Sequence, residues 1–296
     1  MRRVYILVAL NIMVGAGAWA YDNTLTVVDT ISIIKLRLQG VRTIRTGPLE
    51  SLLVDNCQAR VTCHCVALVH GLGDTAMTWS DTLLAAPDGF RVYAPNMPGT
   101  EGSPRPNSPD HWRVSAQAGV LQSVLSNVKG CESWTVAGNS LGGWTSSWLS
   151  LKWPQGVEKL VLVNSAGLKD STGASRRAAE VLAQPTIASL KEFGKLAYHK
   201  ERPAPERIWP DLLARILKRG TFEIASALKE DDFLDGRLGA LQMPVTVLWG
   251  ESDGVIPPGQ AFRFKAEIPH AKIVMEKNCG HLPQKECPAS LLAEIY

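Results

Sequence analysis

Ser140 sits in Gly138-Asn139-Ser140-Leu141-Gly142, directly after the strand-like run Trp134, Thr135, Val136, Ala137. A serine hydroxyl is a weak nucleophile until a neighbouring base takes its proton. Its oxygen must also be held exposed, and a sharp strand-to-helix turn does this when flanking glycines relieve the crowding. Residue type and spacing therefore make Ser140 the candidate nucleophile.

A base and an acid must accompany it. Of six histidines, His281 is placed best, in the loop Asn278-Cys279-Gly280-His281 after the last strand-like run and last in chain order. His70 closes a strand just before Gly71, a setting that suits bracing a loop better than transferring protons. His64, His111, His199 and His270 have no comparable setting. The acid candidate is Asp253, in Trp249-Gly250-Glu251-Ser252-Asp253, where it would accept the imidazole N–H and fix the tautomer. Glu251 is its rival. Asp253 stands farther from the strand end, and Gly254 and Pro257 after it let the chain curl back. After the sixth strand come Asn164, Ser165, Ala166 and Gly167, so no carboxylate stands close there.

An acyl transfer also needs donors aimed at a developing oxyanion, each typically worth ~3 kcal/mol. The backbone N–H of Leu141, next after the nucleophile, is one. The other is the N–H of Leu72 in His70-Gly71-Leu72-Gly73, with Gly73 as the alternative donor. Asp74 reads as a cap for a helix beginning near Thr75.

These residues need a scaffold. Short apolar, β-branched runs alternate with helical patterns, which predicts an α/β chain with a largely parallel sheet. Strands are expected near 41–46, 49–54, 65–70, 90–94, 133–138, 159–164, 244–249 and 271–276, the first two as an antiparallel hairpin across Thr46-Gly47-Pro48. Helices are expected near 75–86, 111–128, 140–152, 258–267 and 287–295. The interval 168–240 exceeds the dozen or so residues a crossover needs. It reads as an inserted helical lid (168–240) on a core of 21–167 and 241–296. Its apolar residues Leu190, Phe193, Trp209, Leu213, Ile216, Phe222 and Phe233 either line a pocket or fill the lid's own core.

With 296 residues, 45% hydrophobic and 20% charged, the chain can bury one large core, and disordered and fibrous classes are excluded. Arg2 and Arg3, an apolar run from Val4 to Ala18, and Ala18-Trp19-Ala20 have the form of a secretory signal spanning residues 1–20, or of an uncleaved N-terminal anchor. The formal charge of +3 falls to +1 without those two arginines, which gives no footprint for a nucleic-acid partner. All six cysteines, Cys57, Cys63, Cys65, Cys131, Cys279 and Cys287, follow that segment, an even number consistent with disulfides in a periplasmic or extracellular protein. No metal site is implied, since Cys63-His64-Cys65 is too tight for zinc, and no phosphate or dinucleotide fingerprint points to a cofactor.

Taken together, the stretches HGLGDTAMTW (70–79), NMPGTEGSPRP (96–106), GNSLGG (138–143), LVNSAGL (162–168), WGESDGVIP (249–257) and NCGHL (278–282) resemble the α/β-hydrolase superfamily. They are most similar to its bacterial family V lipases and monoacylglycerol lipase-like hydrolases. The resemblance implies the α/β-hydrolase fold, an eight-stranded mostly parallel sheet with helices on both faces and a helical lid inserted after strand 6. It implies a serine esterase or lipase with Ser140, Asp253 and His281 as its triad, Leu72 and Leu141 as oxyanion donors, and the lid as acyl-chain pocket. The expected partner is a small ester or acylglycerol, with membrane-surface contact through the lid or an uncleaved N-terminus. In that fold the third and fifth strands are neighbours. Cys63 lies nine residues before Leu72 and Cys131 nine before Ser140, so they are expected to pair, with Cys65 as the competitor. Cys279 and Cys287 bracket His281 and could tie its loop, or Cys279 could be a small buried residue.

Two other readings stand beside the esterase. A meta-cleavage C–C bond hydrolase shares a GNS elbow but usually carries HGxGPG and a Trp after the catalytic histidine, where this chain has Gly73-Asp74-Thr75 and Leu282. A binding protein that lost activity would not need a competent residue at every catalytic position.

Overall fold

The computed structural model describes residues 24–57, 63–170, 172–201 and 203–296, so the expected signal at 1–20 lies outside the described residues. Among the described residues eight strands form one sheet in the order β1-β2-β4-β3-β5-β6-β7-β8. They are β1 Arg42–Thr46, β2 Leu49–Asp55, β3 His64–Val69, β4 Phe90–Pro95, β5 Trp134–Asn139, β6 Val157–Val163, β7 Val245–Gly250 and β8 Lys272–Glu276. β2 runs antiparallel to both β1 and β4, and every other neighbouring pair is parallel. The expected hairpin and parallel core are both present.

The sheet is covered on both faces, which is why its central strands read as unbroken apolar runs. Within β3, Cys65, Ala67 and Val69 point into one core while Val66 and Leu68 point into the other. β6 repeats the alternation, with Leu160 and Leu162 against Val161 and Val163. Burying a side chain of this kind is worth ~1.5–3 kcal/mol.

Helices α1 Thr24–Leu38, α2 Ser80–Leu84, α3 Val114–Leu125 and α4 Leu141–Lys152 precede the insertion. Between β6 and β7 come α5 Ala174–Ala183, α6 Ile187–Ala197, α7 Trp209–Lys218 and α8 Thr221–Ala227. Leu182, Leu190 and Ile216 bury together there as a small separate core. After β7 come α9 Gly259–Glu267 and, beyond β8, α10 Pro283–Glu286 and α11 Pro288–Ile295.

Three expectations need correction. The helix expected over 75–86 is a 3-10 turn, Ala76–Trp79, followed by the short α2. Asp74 does not cap it in the usual way: Asp74 Oδ1 accepts from the Thr75 amide at 2.8 Å, and the Ala76 amide goes to Asn96 Oδ1 at 2.8 Å. α1 was not anticipated, because among its described side chains most are exposed and only Leu36 is deeply buried.

The third correction concerns the cysteines. Cys65 bonds Cys131, with Cα atoms 5.7 Å apart, and Cys63 bonds Cys57 instead. Counting back from Ser140 treats residues 131–133 as extended, yet β5 begins only at Trp134, after a turn in which Gly130 has φ +79°. Register is fixed by ladder hydrogen bonds and ends where the ladder ends. The turn returns Cys131 toward Cys65, and Cys63 lies just outside β3, within 5.6 Å (Cα–Cα) of Cys57. Of the two readings of Cys279, the structure shows the one that ties the His281 loop, a bond to Cys287.

Candidate active site

β5 delivers Ser140 to the sheet's C-terminal edge in a conformation few side chains adopt, φ 56° and ψ −119°. Such a backbone costs ~1–3 kcal/mol and persists only where its surroundings fix it. Here the Ser140 amide donates to the Val163 carbonyl at 3.0 Å, and its carbonyl accepts from Gly143 and Ala166, both at 3.0 Å. The glycines on either side are obligatory. A Cβ on Gly142 would lie 2.1 Å from the Val69 carbonyl oxygen, and one on Gly138 would lie 2.3 Å from that of Gly142.

His281 and Asp253 come together from loops after β8 and β7. His281 Nδ1 lies 2.8 Å from Asp253 Oδ2, and both residues are buried. Asp253 accepts at Oδ1 from the amides of Val255 (2.8 Å) and Ile256 (2.9 Å), and at Oδ2 from Asn164 Nδ2 (2.6 Å). Every partner is a donor, which suits an acceptor-only carboxylate. The carboxylate then takes the Nδ1–H, leaving Nε2 free to act as a base. Glu251 is exposed at the strand end and takes no part in this pair.

Asn164 could not be found from sequence spacing. It follows β6 with φ 45°, a conformation asparagine tolerates better than most residues. Besides holding Asp253, its amide reaches the Gly280 carbonyl at 3.2 Å, and its Oδ1 accepts from Gly250 N–H at 3.3 Å. One buried side chain thus spans three loops. Glu286 is a second residue missed: its carboxylate accepts from the Gly280 amide at 2.7 Å and from the His199 amide at 3.1 Å.

Residues 71–74 form a turn, with the Asp74 amide donating to the Gly71 carbonyl at 3.3 Å and Gly73 at φ +74°, where a side chain would be strained. His70 braces it. Its Nδ1 donates to the Gly71 carbonyl at 2.9 Å and its Nε2 accepts the Met97 amide at 3.0 Å. Burial holds His70 below the ordinary histidine range, and this bonding pattern requires the neutral ring. Leu141 is the first residue of α4, so its amide is among the four a helix cannot satisfy internally.

Ser140, His281, Leu72 and Leu141 all line one cavity of about 930 Å³. Leu190, Phe193, Trp209, Ile216 and Phe233 line it as well, whereas Leu213 packs among the helices between β6 and β7 and Phe222 is exposed. Neither Glu251 nor His70 borders it. The arrangement can hold an apolar chain beside a hydroxyl, an imidazole and two main-chain donors.

A family model described as the alpha/beta hydrolase family matches residues 66–295. Lipase 3 of Moraxella sp. strain TA144 is 27% identical over 306 aligned positions, covering 95% of this chain and 92% of the lipase. A 2-hydroxy-6-oxononadienedioate/2-hydroxy-6-oxononatrienedioate hydrolase of Pseudomonas putida is 28% identical over 246, covering 75% and 82%. Among solved structures, a membrane phospholipase A described as a bacterial virulence factor aligns with a TM-score of 0.78 at 22% identity, covering 99% of this chain and 96% of that one.

Proposed function

The chain belongs to the alpha/beta hydrolase family, and from that premise we propose that it is an exported serine hydrolase cleaving carboxylic esters through an acyl-enzyme on Ser140. The observation that carries this reading is Ser140 on its strained turn, sharing a cavity with His281, whose Nδ1 lies 2.8 Å from Asp253 Oδ2.

In this mechanism Ser140 Oγ attacks the ester carbonyl carbon while its proton passes to His281 Nε2. The tetrahedral oxyanion takes hydrogen bonds from the amides of Leu72 and Leu141. Collapse breaks the bond to the alkoxy oxygen, which leaves as the alcohol with the proton from His281. A water then attacks the acyl carbon, gives its proton to His281, and collapse returns that proton to Ser140 as the carboxylic acid departs.

The segment 168–240 acts as the lid and its apolar side chains take the acyl chain, so the substrate is a small apolar ester or acylglycerol. Export is supported by the signal-like residues 1–20 together with three disulfides that use all six cysteines. No described helix is long and apolar enough to cross a membrane. Contact with a membrane surface is supported by Val28, Ile31, Ile34 and Leu38, exposed along one side of α1.

Ser140→Ala tests the mechanism: hydrolysis of p-nitrophenyl butyrate is expected to fall at least ~1,000-fold and labelling by a fluorophosphonate to vanish. Retention of the wild-type rate would overturn it. The likeness to the Pseudomonas putida hydrolase motivates a second reading, C–C bond hydrolysis. Turnover of a vinylogous diketone with no turnover of simple esters would put that reading first.

A further inference from the structure

The lid helices are bonded directly to the loops they cover. At the end of α6 the carbonyls of Leu196 and Ala197 accept from the amides of Gly254 and His281 at 3.0 and 2.7 Å. At the end of α7 stands Arg219. Its Nη1 donates to the Gly73 carbonyl at 2.8 Å, and its Nη2 meets Glu101 Oε1 at 2.6 Å.

We propose that Arg219 is a positioning residue for the oxyanion turn, a clamp by which the lid sets the orientation of the Leu72 amide. The inference rests on the ester-hydrolase reading for its consequence in catalysis, though not for its effect on the turn. Gly73 belongs to the same turn as Leu72, and its carbonyl is the group a lid residue can hold without occupying the oxyanion site. His70 fixes the other end of the turn through Gly71. Between these two points the Leu72 side chain packs against the lid core of Leu182, Leu190 and Ile216. The turn is therefore held at Gly71 by the core, and at Leu72 and Gly73 by the lid.

Arg219 is suited to the task. Its side chain is only 12% exposed, so its bonds are little weakened by water, and a planar guanidinium can serve two acceptors in fixed directions. Glu101 lies on the loop after β4 and holds the guanidinium from the core side. Arg105 on the same loop provides a control. It donates to the Lys218 carbonyl at 2.9 Å and pairs with Glu223, joining the same loop to the same corner of the lid without touching the turn.

The test combines amide hydrogen exchange with kinetics on p-nitrophenyl butyrate. Arg219→Gln is expected to speed exchange at least tenfold at Asp74, whose amide donates to the Gly71 carbonyl across the turn. It should lower kcat ten- to a hundredfold with KM within threefold of wild type. Arg219→Lys, which keeps one donor, should recover part of both losses. The surface substitution Glu101→Gln leaves packing intact and should give an intermediate effect, and Arg105→Ala should change neither quantity by more than threefold. Unchanged exchange in Arg219→Gln, or equal changes in Arg105→Ala, would overturn the clamp. So would a raised KM with kcat intact, since that describes a residue touching substrate. If the wild type cleaves no ester, the functional reading fails while the exchange measurement still decides the clamp.

Discussion

Asn164 is where residue-scale physics departs most from what spacing could reveal. It bonds an acid 89 positions away and a carbonyl 116 positions away, and neither separation leaves a periodic trace. The absence of a carboxylate after β6 is visible in the sequence; that an amide there holds the carboxylate from the next strand is not. A hydrogen bond to a charged group is worth ~1.5–3 kcal/mol, so losing it from Asp253 should cost about ten- to a hundredfold in kcat. Asn164→Gly is the informative variant, because glycine accepts φ 45° and only the amide group is lost. Steady-state kinetics beside a melting curve would separate that loss from simple unfolding. His70 makes a different prediction, about pH. The folded chain holds it below the ordinary value of 6.5, so as pH falls through that value the unfolded chain binds the proton first. The contribution of His70 is thus complete above about pH 6.5 and declines below it, until the folded ring also protonates. Thermal melts between about pH 7 and 5 should fall less steeply in His70→Gln than in the wild type.

At the scale of elements, the loops after β5, β7 and β8 carry the candidate site, and each is tied down by a different device. The elbow uses glycine contacts, the Asp253 loop uses the Val255 and Ile256 amides donating to the Asp253 carboxylate, and the His281 loop uses Glu286 and the bond between Cys279 and Cys287. The two disulfides with long and short spans should therefore separate stability from activity. Closing 66 residues, as Cys65–Cys131 does, restricts the unfolded chain by ~4 kcal/mol, whereas the span of 8 closed by Cys279–Cys287 gives ~2.5 kcal/mol. Replacing both cysteines of the first pair by alanine should lower the urea midpoint more. Replacing those of the second should lower kcat more, because His281 stands between them. Equal effects on kcat would show that the His281 loop is held without its disulfide. The strands themselves were legible, since a sheet buried on both faces writes itself as short apolar runs. The pairing of Cys131 was not, because strand register says nothing about a chain that has already turned.

For the whole molecule, the order of strands brings three sequence-distant loops to one edge and sets the helices between β6 and β7 above them. The mostly parallel sheet was readable from the alternation of apolar runs and helical patterns, and the helices between β6 and β7 from the length of that interval. The interior of those helices was less so, because a helix must bury one face whether or not a ligand shares it: Leu213 packs among the helices and Phe222 is exposed, while Leu190 lines the cavity. The cavity that results, about 930 Å³, is at the upper end of what small-molecule sites use. An acyl chain lying in it gains ~0.8 kcal/mol for each methylene removed from water, about fourfold in kcat/KM while apolar wall remains to meet it. A series of p-nitrophenyl esters should therefore climb by up to that factor per methylene and then level off where the chain reaches the charged mouth near Arg176 and Glu180. Ala179 lines the cavity from α5 without being deeply buried, so Ala179→Trp can fill space there with little strain on the core. The optimum should move to shorter chains while kcat/KM for the acetate ester stays within about twofold of wild type, because uniform binding of a distal chain does not touch the bond being broken. An optimum that stays in place would mean that the chain leaves the site by another route and that the helices above the sheet do not hold it.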